Sequence, residues 1–212
     1  MEKIILVGGG GHCKVIIDII KSTNEYEITG ITDKDGIGTN ILDIPVLGDD
    51  SILEELYNRG VKNAFVCIGA LNNISIRDKI YFNLKNIGFN IPKLVHKNAV
   101  VSPYANIKAG TCVMAGAVIN PGVEISENCI LNTSSVIEHD CFIGRNTHIS
   151  PRSCISGGCR IGYNCHIGAG SSVIQGINIG NHVVVGAGAV VIRNLDDMVT
   201  AVGVPAKIIK SR

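Results

Sequence analysis

Across residues 95–191 a branched aliphatic side chain occupies every sixth position without a slip: Val95, Val101, Ile107, Val113, Ile119, Ile125, Leu131, Ile137, Ile143, Ile149, Ile155, Ile161, Ile167, Val173, Ile179, Val185 and Val191. A helix would place its apolar stripe at steps of three and four, and a half-buried strand would alternate by two. A strict period of six predicts short strands separated by regular corners and stacked into a solenoid. Four residues after each aliphatic comes a second inward position, mostly small, as at Ala105, Thr111, Ala117, Cys129, Ser135, Cys141, Thr147, Ser153, Cys159, Cys165, Ser171 and Ala189. One large and one small inward side chain per repeat suits the close packing of identical layers. Gly and Asn recur at the corners, as in Ile143-Gly144 and Ile161-Gly162-Tyr163-Asn164, where a left-handed backbone costs them least.

The same arithmetic places four of the eight cysteines. Cys129, Cys141, Cys159 and Cys165 fall in the small inward slot and read as compact apolar fillers. No CxxC pair occurs, and Cys13, Cys67, Cys112 and Cys154 are scattered, so neither disulfides nor a thiolate metal site is expected. A net charge of +1 without a basic block argues against nucleic acid or a membrane surface as partner. The apolar run at residues 4–7 is too short for a signal peptide or a membrane span, and a cytoplasmic location is expected.

Residues 1–92 follow another grammar and read as an α/β, Rossmann-like domain ahead of an all-β solenoid domain over residues 93–212. Strands are expected at 4–7, 26–31 and 64–68. Helices are expected at 14–21, with Val15, Ile16, Ile19 and Ile20 on the apolar side, and at 51–59 and 74–87. Such alternation predicts an open parallel sheet. The first turn, Gly8-Gly9-Gly10-Gly11-His12-Cys13, has the first two glycines of a dinucleotide fingerprint, and Asp33 lies where a ribose-binding acid would fall. Cys13 breaks the third position of that pattern, yet bare amides opening a helix still suit a phosphate, with His12 beside it as a contact or a cap. The loop after Gly69, with Asn72, Asn73 and Arg77, offers polar groups in the neighbouring crevice.

If each of three faces takes one repeat, residues eighteen apart stack in adjacent layers about 4.8 Å apart. His139 then stands between Pro121 below and Gly157 above, with open space beside the imidazole. Glu138 and Asp140 flank it, and either could orient the ring and raise its basicity; a solvated surface histidine is the plain alternative. His148 and His166 form a two-rung ladder between Ile130 and Val184, with no third ligand for a metal. His148 is half a coil from His139, so the two point to different sides of one prism and can share a site only where two prisms pack together. Gly168-Ala169-Gly170 and Gly186-Ala187-Gly188 stack into a strip free of bulky side chains that climbs toward the C-terminal end.

These motifs, together with Leu94-Val95-His96, Val101-Ser102-Pro103, the run from Asn132 through Thr133, Ser134, Ser135, Val136, Ile137, Glu138 and His139 to Asp140, and Gly203-Val204-Pro205-Ala206-Lys207, span the chain in one order. The whole resembles the two-domain sugar acetyltransferases of the PglD/NeuD-like family, built on a left-handed parallel β-helix. The resemblance implies a homotrimer with acetyl-CoA between adjacent prisms and a sugar nucleotide on the N-terminal domain. By position, His139 resembles the general base, Glu138 its supporting carboxylate and Asn132 a further active-site residue. His148 resembles the residue facing the thioester, and Gly157, Ala169 and Ala187 the contacts to acetyl-CoA. Gly10, Gly11, His12, Asp33, Lys34 and Gly69 are expected on the nucleotide-sugar side. Lys34 replaces a common second Asp there, which bears on the nucleotide accepted.

The expected reaction is acetyl transfer to an amino sugar, foremost the 4-amine of a UDP-linked deoxysugar, in surface glycan synthesis. O-acetylation of sialic acid or another sugar would use the same residues. A non-catalytic solenoid that binds a sugar nucleotide is the alternative outside enzymes, and dinucleotide redox chemistry is more remote.

Overall fold

The computed structural model describes residues 1–69 and 74–211 and divides into two compact units, Met1–Lys97 and Asn98–Arg212. The first unit runs β1 (Glu2–Val7), α1 (Gly11–Thr23), β2 (Tyr26–Thr32), β3 (Asn40–Ile41), β4 (Ile44–Gly48), α2 (Leu53–Asn58), β5 (Asn63–Val66) and α3 (Ile74–Ile87). The sheet order is β3-β4-β2-β1-β5, parallel except for the β3–β4 hairpin. β1 lies between β2 and β5, and its run Ile4, Ile5, Leu6 and Val7 is wholly buried, as an inner parallel strand requires. In α1 the inward residues are Cys13, Ile16, Ile17, Ile19 and Ile20, whereas Val15, expected inside, is exposed. The β3–β4 hairpin was not anticipated: its strands are short, but Ile44 and Val46 do alternate inward with exposed neighbours.

The second unit is the expected prism. Two-residue strands pair in parallel at a spacing of eighteen, as in Val118 with Val136 and Phe142 with Arg160. Cys112, Ile130, His148, His166 and Val184 head the strands of the first face, Val118, Val136, Cys154, Ser172 and Val190 those of the second, and Asn106, Glu124, Phe142, Arg160 and Asn178 those of the third. The aliphatic that follows each points inward, and the series from Ile107 to Val191 is buried throughout. Among the described residues, no helix is long and apolar enough to cross a membrane.

Two local features differ from expectation, and both have physical causes. Left-handed backbone recurs every six residues, through Asn128, Ser134, Asp140, Asn146, Arg152 and Asn164, with glycines filling the series between. Gly144 and Gly162 are outside that series; they are glycine because a Cβ on Gly144 would lie 2.5 Å from the carbonyl carbon of Gly162, one layer above. The small inward slot, in turn, holds hydrogen-bond donors. Thr111, Cys129, Cys141, Thr147, Ser153, Cys159 and Cys165 each donate to the corner carbonyl fifteen residues on, Thr147 to Gly162 at 2.8 Å and Cys165 to Gly180 at 3.0 Å. The inward cysteines are therefore S–H donors to corner carbonyls as well as fillers. All eight cysteines are free thiols.

Candidate functional site

His139 stands on the corner between the second and third faces, after the strand Val136–Ile137. Asp140, in the left-handed conformation at φ +60°, brings its carboxylate alongside the ring, and Oδ2 lies 2.8 Å from Nδ1. This bond, opposed by desolvation and helped by the charges of Asp140 and Glu138, raises the imidazole pKa above its ordinary value. Of the two flanking carboxylates, Asp140 is the one bonded to Nδ1, and Glu138 acts on the ring through its charge. The layers above and below make room. A Cβ on Gly157 would lie 2.7 Å from both Cε1 and Nε2 of His139, and one on Gly122 would lie 2.5 Å from Oδ1 of Asp140. The space foreseen beside His139 is filled by the ring itself, which leans over Gly157. With Nδ1 committed to Asp140, the ring offers Nε2 as a base.

Asn132 and His148 form a second cluster, on the first face and the corner that follows it. Asn132 Oδ1 accepts from the Thr133 N–H at 2.8 Å, which directs Nδ2 at His148 Nε2, 3.0 Å away. Nε2 is therefore an acceptor, and a neutral His148 carries its proton on Nδ1. His139 sits at a corner of the coil, whereas His148 lies within the first-face strand His148–Ile149. Ala169 and Ala187 are exposed on the small-residue strip above His148, where Gly170 and Gly188 have open space at their Cα positions. Among the described residues, no three His, Cys, Asp or Glu are grouped to hold a metal.

In the first unit, the structure sorts the glycine run in two. Gly8 is required by its left-handed backbone (φ +103°) and by Ile68, 2.6 Å from an added Cβ, whereas Gly9 is crowded by the Ile41 methyl at 2.8 Å and the Asp33 carboxylate at 3.1 Å. Gly10 and Gly11 face open space at the uncapped start of α1, where backbone amides suit an anion. Asp33 ties this turn down, accepting from Gly9 N at 2.5 Å and from Asp35 N at 2.9 Å. His12 lies beside Gly69, and burial, with the Arg77 charge, lowers its pKa to about 3. It is neutral at physiological pH and supplies no positive charge to a phosphate. Arg77 is wholly buried and donates to the carbonyls of Val66 and Ile68, so it braces the end of β5 instead of lining a crevice. Asn72 and Asn73 lie outside the described residues.

A cavity of about 610 Å³ opens at this sheet edge, lined by Asp33 and Lys34 together with the apolar Val7, Ile68, Ile76 and Ile80. Asp49, Asp50 and Ser51 also line it and were not foreseen. Asp50 accepts from Thr32 Oγ1 at 2.7 Å, while its burial holds the carboxyl above the usual range. The only sequence signal was their place after Gly48, at the end of a strand that itself went unrecognised. A hollow of about 560 Å³ on the third face, beside Arg160 and Asn178, contains none of the predicted residues.

A Rossmann-like unit and a hexapeptide prism that carries a carboxylate-oriented histidine define a hexapeptide-repeat acyltransferase. Residues 3–84 match the PglD N-terminal domain, 140–175 the bacterial transferase hexapeptide (six repeats) and 158–193 the hexapeptide repeat of succinyl-transferase. PerB from Caulobacter crescentus, solved in complex with CoA and GDP-perosamine, is 38% identical, with TM-score 0.94, over 99% of this chain and 98% of that one. The acetyltransferase domain of PglB from Neisseria gonorrhoeae is 35% identical, with TM-score 0.93, over 99% of this chain and 100% of that one. WeeI from Acinetobacter baumannii, at 22% identity and TM-score 0.77, shares the fold. The chain belongs to the PglD/PerB-like family of left-handed β-helix, hexapeptide-repeat acetyltransferases.

Proposed function

We infer that the protein transfers the acetyl group of acetyl-CoA to the amine of a nucleotide-linked amino sugar, in glycan biosynthesis. The observation that carries this reading is the His139–Asp140 pair, an oriented imidazole with Nε2 available over Gly157. As the sugar nitrogen bonds to the thioester carbonyl carbon, Nε2 takes the amine proton; the C–S bond then breaks, and the departing CoA thiolate receives that proton from the imidazolium. Backbone amides of the prism would stabilise the oxyanion. The structure of PerB with CoA and GDP-perosamine supports this chemistry at 38% identity over nearly the whole length of both chains. It also widens the expected UDP-linked acceptor to nucleotide-linked amino sugars, with the cavity at Asp33, Lys34 and Asp50 as the place where the nucleotide is selected.

On this reading His139 of one subunit meets Asn132 and His148 of another in a homotrimer. The outward rows support it: the second face is apolar apart from Ser172 (Val118, Val136, Cys154, Val190) and suits a neighbouring prism, whereas the third is polar apart from Phe142 (Asn106, Glu124, Arg160, Asn178) and suits water. Eight free thiols accord with a reducing, cytoplasmic compartment. CoA release measured with UDP-, GDP- and CMP-linked sugars tests the reading, and His139→Ala should lower turnover on the order of 10²- to 10⁴-fold. Turnover on sialic acid alone would move the assignment to O-acetylation; no thiol release with any acceptor would leave a binding solenoid.

A further inference from the structure

The first face carries one arrangement twice. The side chain that opens a corner reaches the imidazole sixteen residues on, in the next coil: Asn132 Nδ2 lies 3.0 Å from His148 Nε2, and Ser150 Oγ lies 3.4 Å from His166 Nε2. In the following coil these two positions are Gly168 and Val184, and the polar pairs end there. Strand pairing sets His148 and His166 in register, with ring centroids 5.0 Å apart at an interplanar angle of 67°, edge against face.

Packing alone does not call for a histidine at 166. Its Nδ1 is closed to solvent and has no hydrogen-bond partner among the described residues, an unfavourable state for a ring nitrogen. Burial also lowers its pKa, so the ring is neutral at physiological pH. Ile130 and Val184 occupy the same column and show that an aliphatic side chain fits this face. A polar ring kept at such a cost is expected where function requires it.

We propose that His166 is a positioning residue for His148. Its edge-to-face contact keeps the His148 ring from turning over, which would exchange Nε2 for another atom opposite the Asn132 amide. Ser150 holds His166 in turn. This inference rests on the reading of Asn132 and His148 as the acetyl-CoA side of the site.

The test uses the full-length protein with His166→Ala, His166→Phe and Ser150→Ala. Nitrogen-15 spectra of the histidine rings, KM for acetyl-CoA and for the sugar nucleotide, and Tm are measured for each. In the native protein His148 should show the Nδ1–H tautomer. His166→Ala should mix the tautomers and reduce kcat/KM for acetyl-CoA by roughly 10-fold, with KM for the sugar nucleotide unchanged. His166→Phe, which keeps the aromatic contact, should restore most of both properties, and Ser150→Ala should reproduce the defect in milder form if the alanine variant at 166 does not fold. An unchanged His148 tautomer in these variants, or a loss on both substrates in step with Tm, overturns the proposal. The ring spectra need no turnover, so a native protein inactive on every acceptor would refute the functional reading separately.

Discussion

Replacing Gly157 by alanine perturbs the site at one calculable point. The new Cβ would stand 2.7 Å from Cε1 and Nε2 of His139, whereas ordinary contact begins at 3.4 Å, so the ring must retreat by about 0.7 Å. It can do so at small cost, because the His139 side chain is 64% exposed and the backbone at 157 is not left-handed. Stability should therefore stay within about 0.5 kcal/mol of the native protein. Catalysis should not. A base displaced by this much loses alignment with the amine, and at roughly 10²-fold per ångström the expected fall in kcat/KM is on the order of 10- to 100-fold, or about 1.4–2.7 kcal/mol of barrier. Initial rates of CoA thiol release, set beside thermal unfolding, measure both quantities. Native turnover in Gly157→Ala would refute the idea that ring placement over this glycine matters, and a parallel loss of Tm would make the glycine a folding requirement.

Two further outcomes follow from the same geometry. Because hydrogen bonding to Asp140 raises the His139 pKa and the base must be unprotonated, kcat/KM should fall as pH drops through a value above the ordinary histidine range; Asp140→Asn should move that limb to lower pH and lower the plateau, and an unmoved limb would show that Asp140 does not set the base. Cys165→Ala removes the S–H that serves the Gly180 carbonyl and should cost about 1–2 kcal/mol in urea unfolding, whereas Cys165→Ser, which keeps a donor as Ser153 does for Gly168, should lose less; equal midpoints would return the inward cysteines to simple fillers.

Much of the site was legible because the repeat supplies positions as well as a fold. Stacking at eighteen put Gly157 over His139 and paired His148 with His166, and both relations hold in the structure. What stayed hidden depends on the direction of single side chains. Glu138 and Asp140 are equally near His139 along the chain; the left-handed φ at Asp140 turns only one of them onto Nδ1. Arg77 looked like a polar group for a crevice, but its guanidinium turns inward to the carbonyls that end β5. Asp49 and Asp50 went unseen because β4, the strand that delivers them to the cavity, carries Pro45 and Leu47 on its exposed side, so its alternation does not show as apolar against polar.

By itself, then, the order of residues determined a stacked solenoid of six-residue repeats and which positions turn inward, because neither a helix nor an ordinary strand has that period; that three repeats close one coil is seen in strand pairing at eighteen. Only the tertiary structure decided which atoms meet: the carboxylate that orients His139, the amide that sets the His148 proton and the carbonyls that the inward thiols serve. Each is a matter of an ångström or of one torsion, and neither spacing nor composition carries information at that scale.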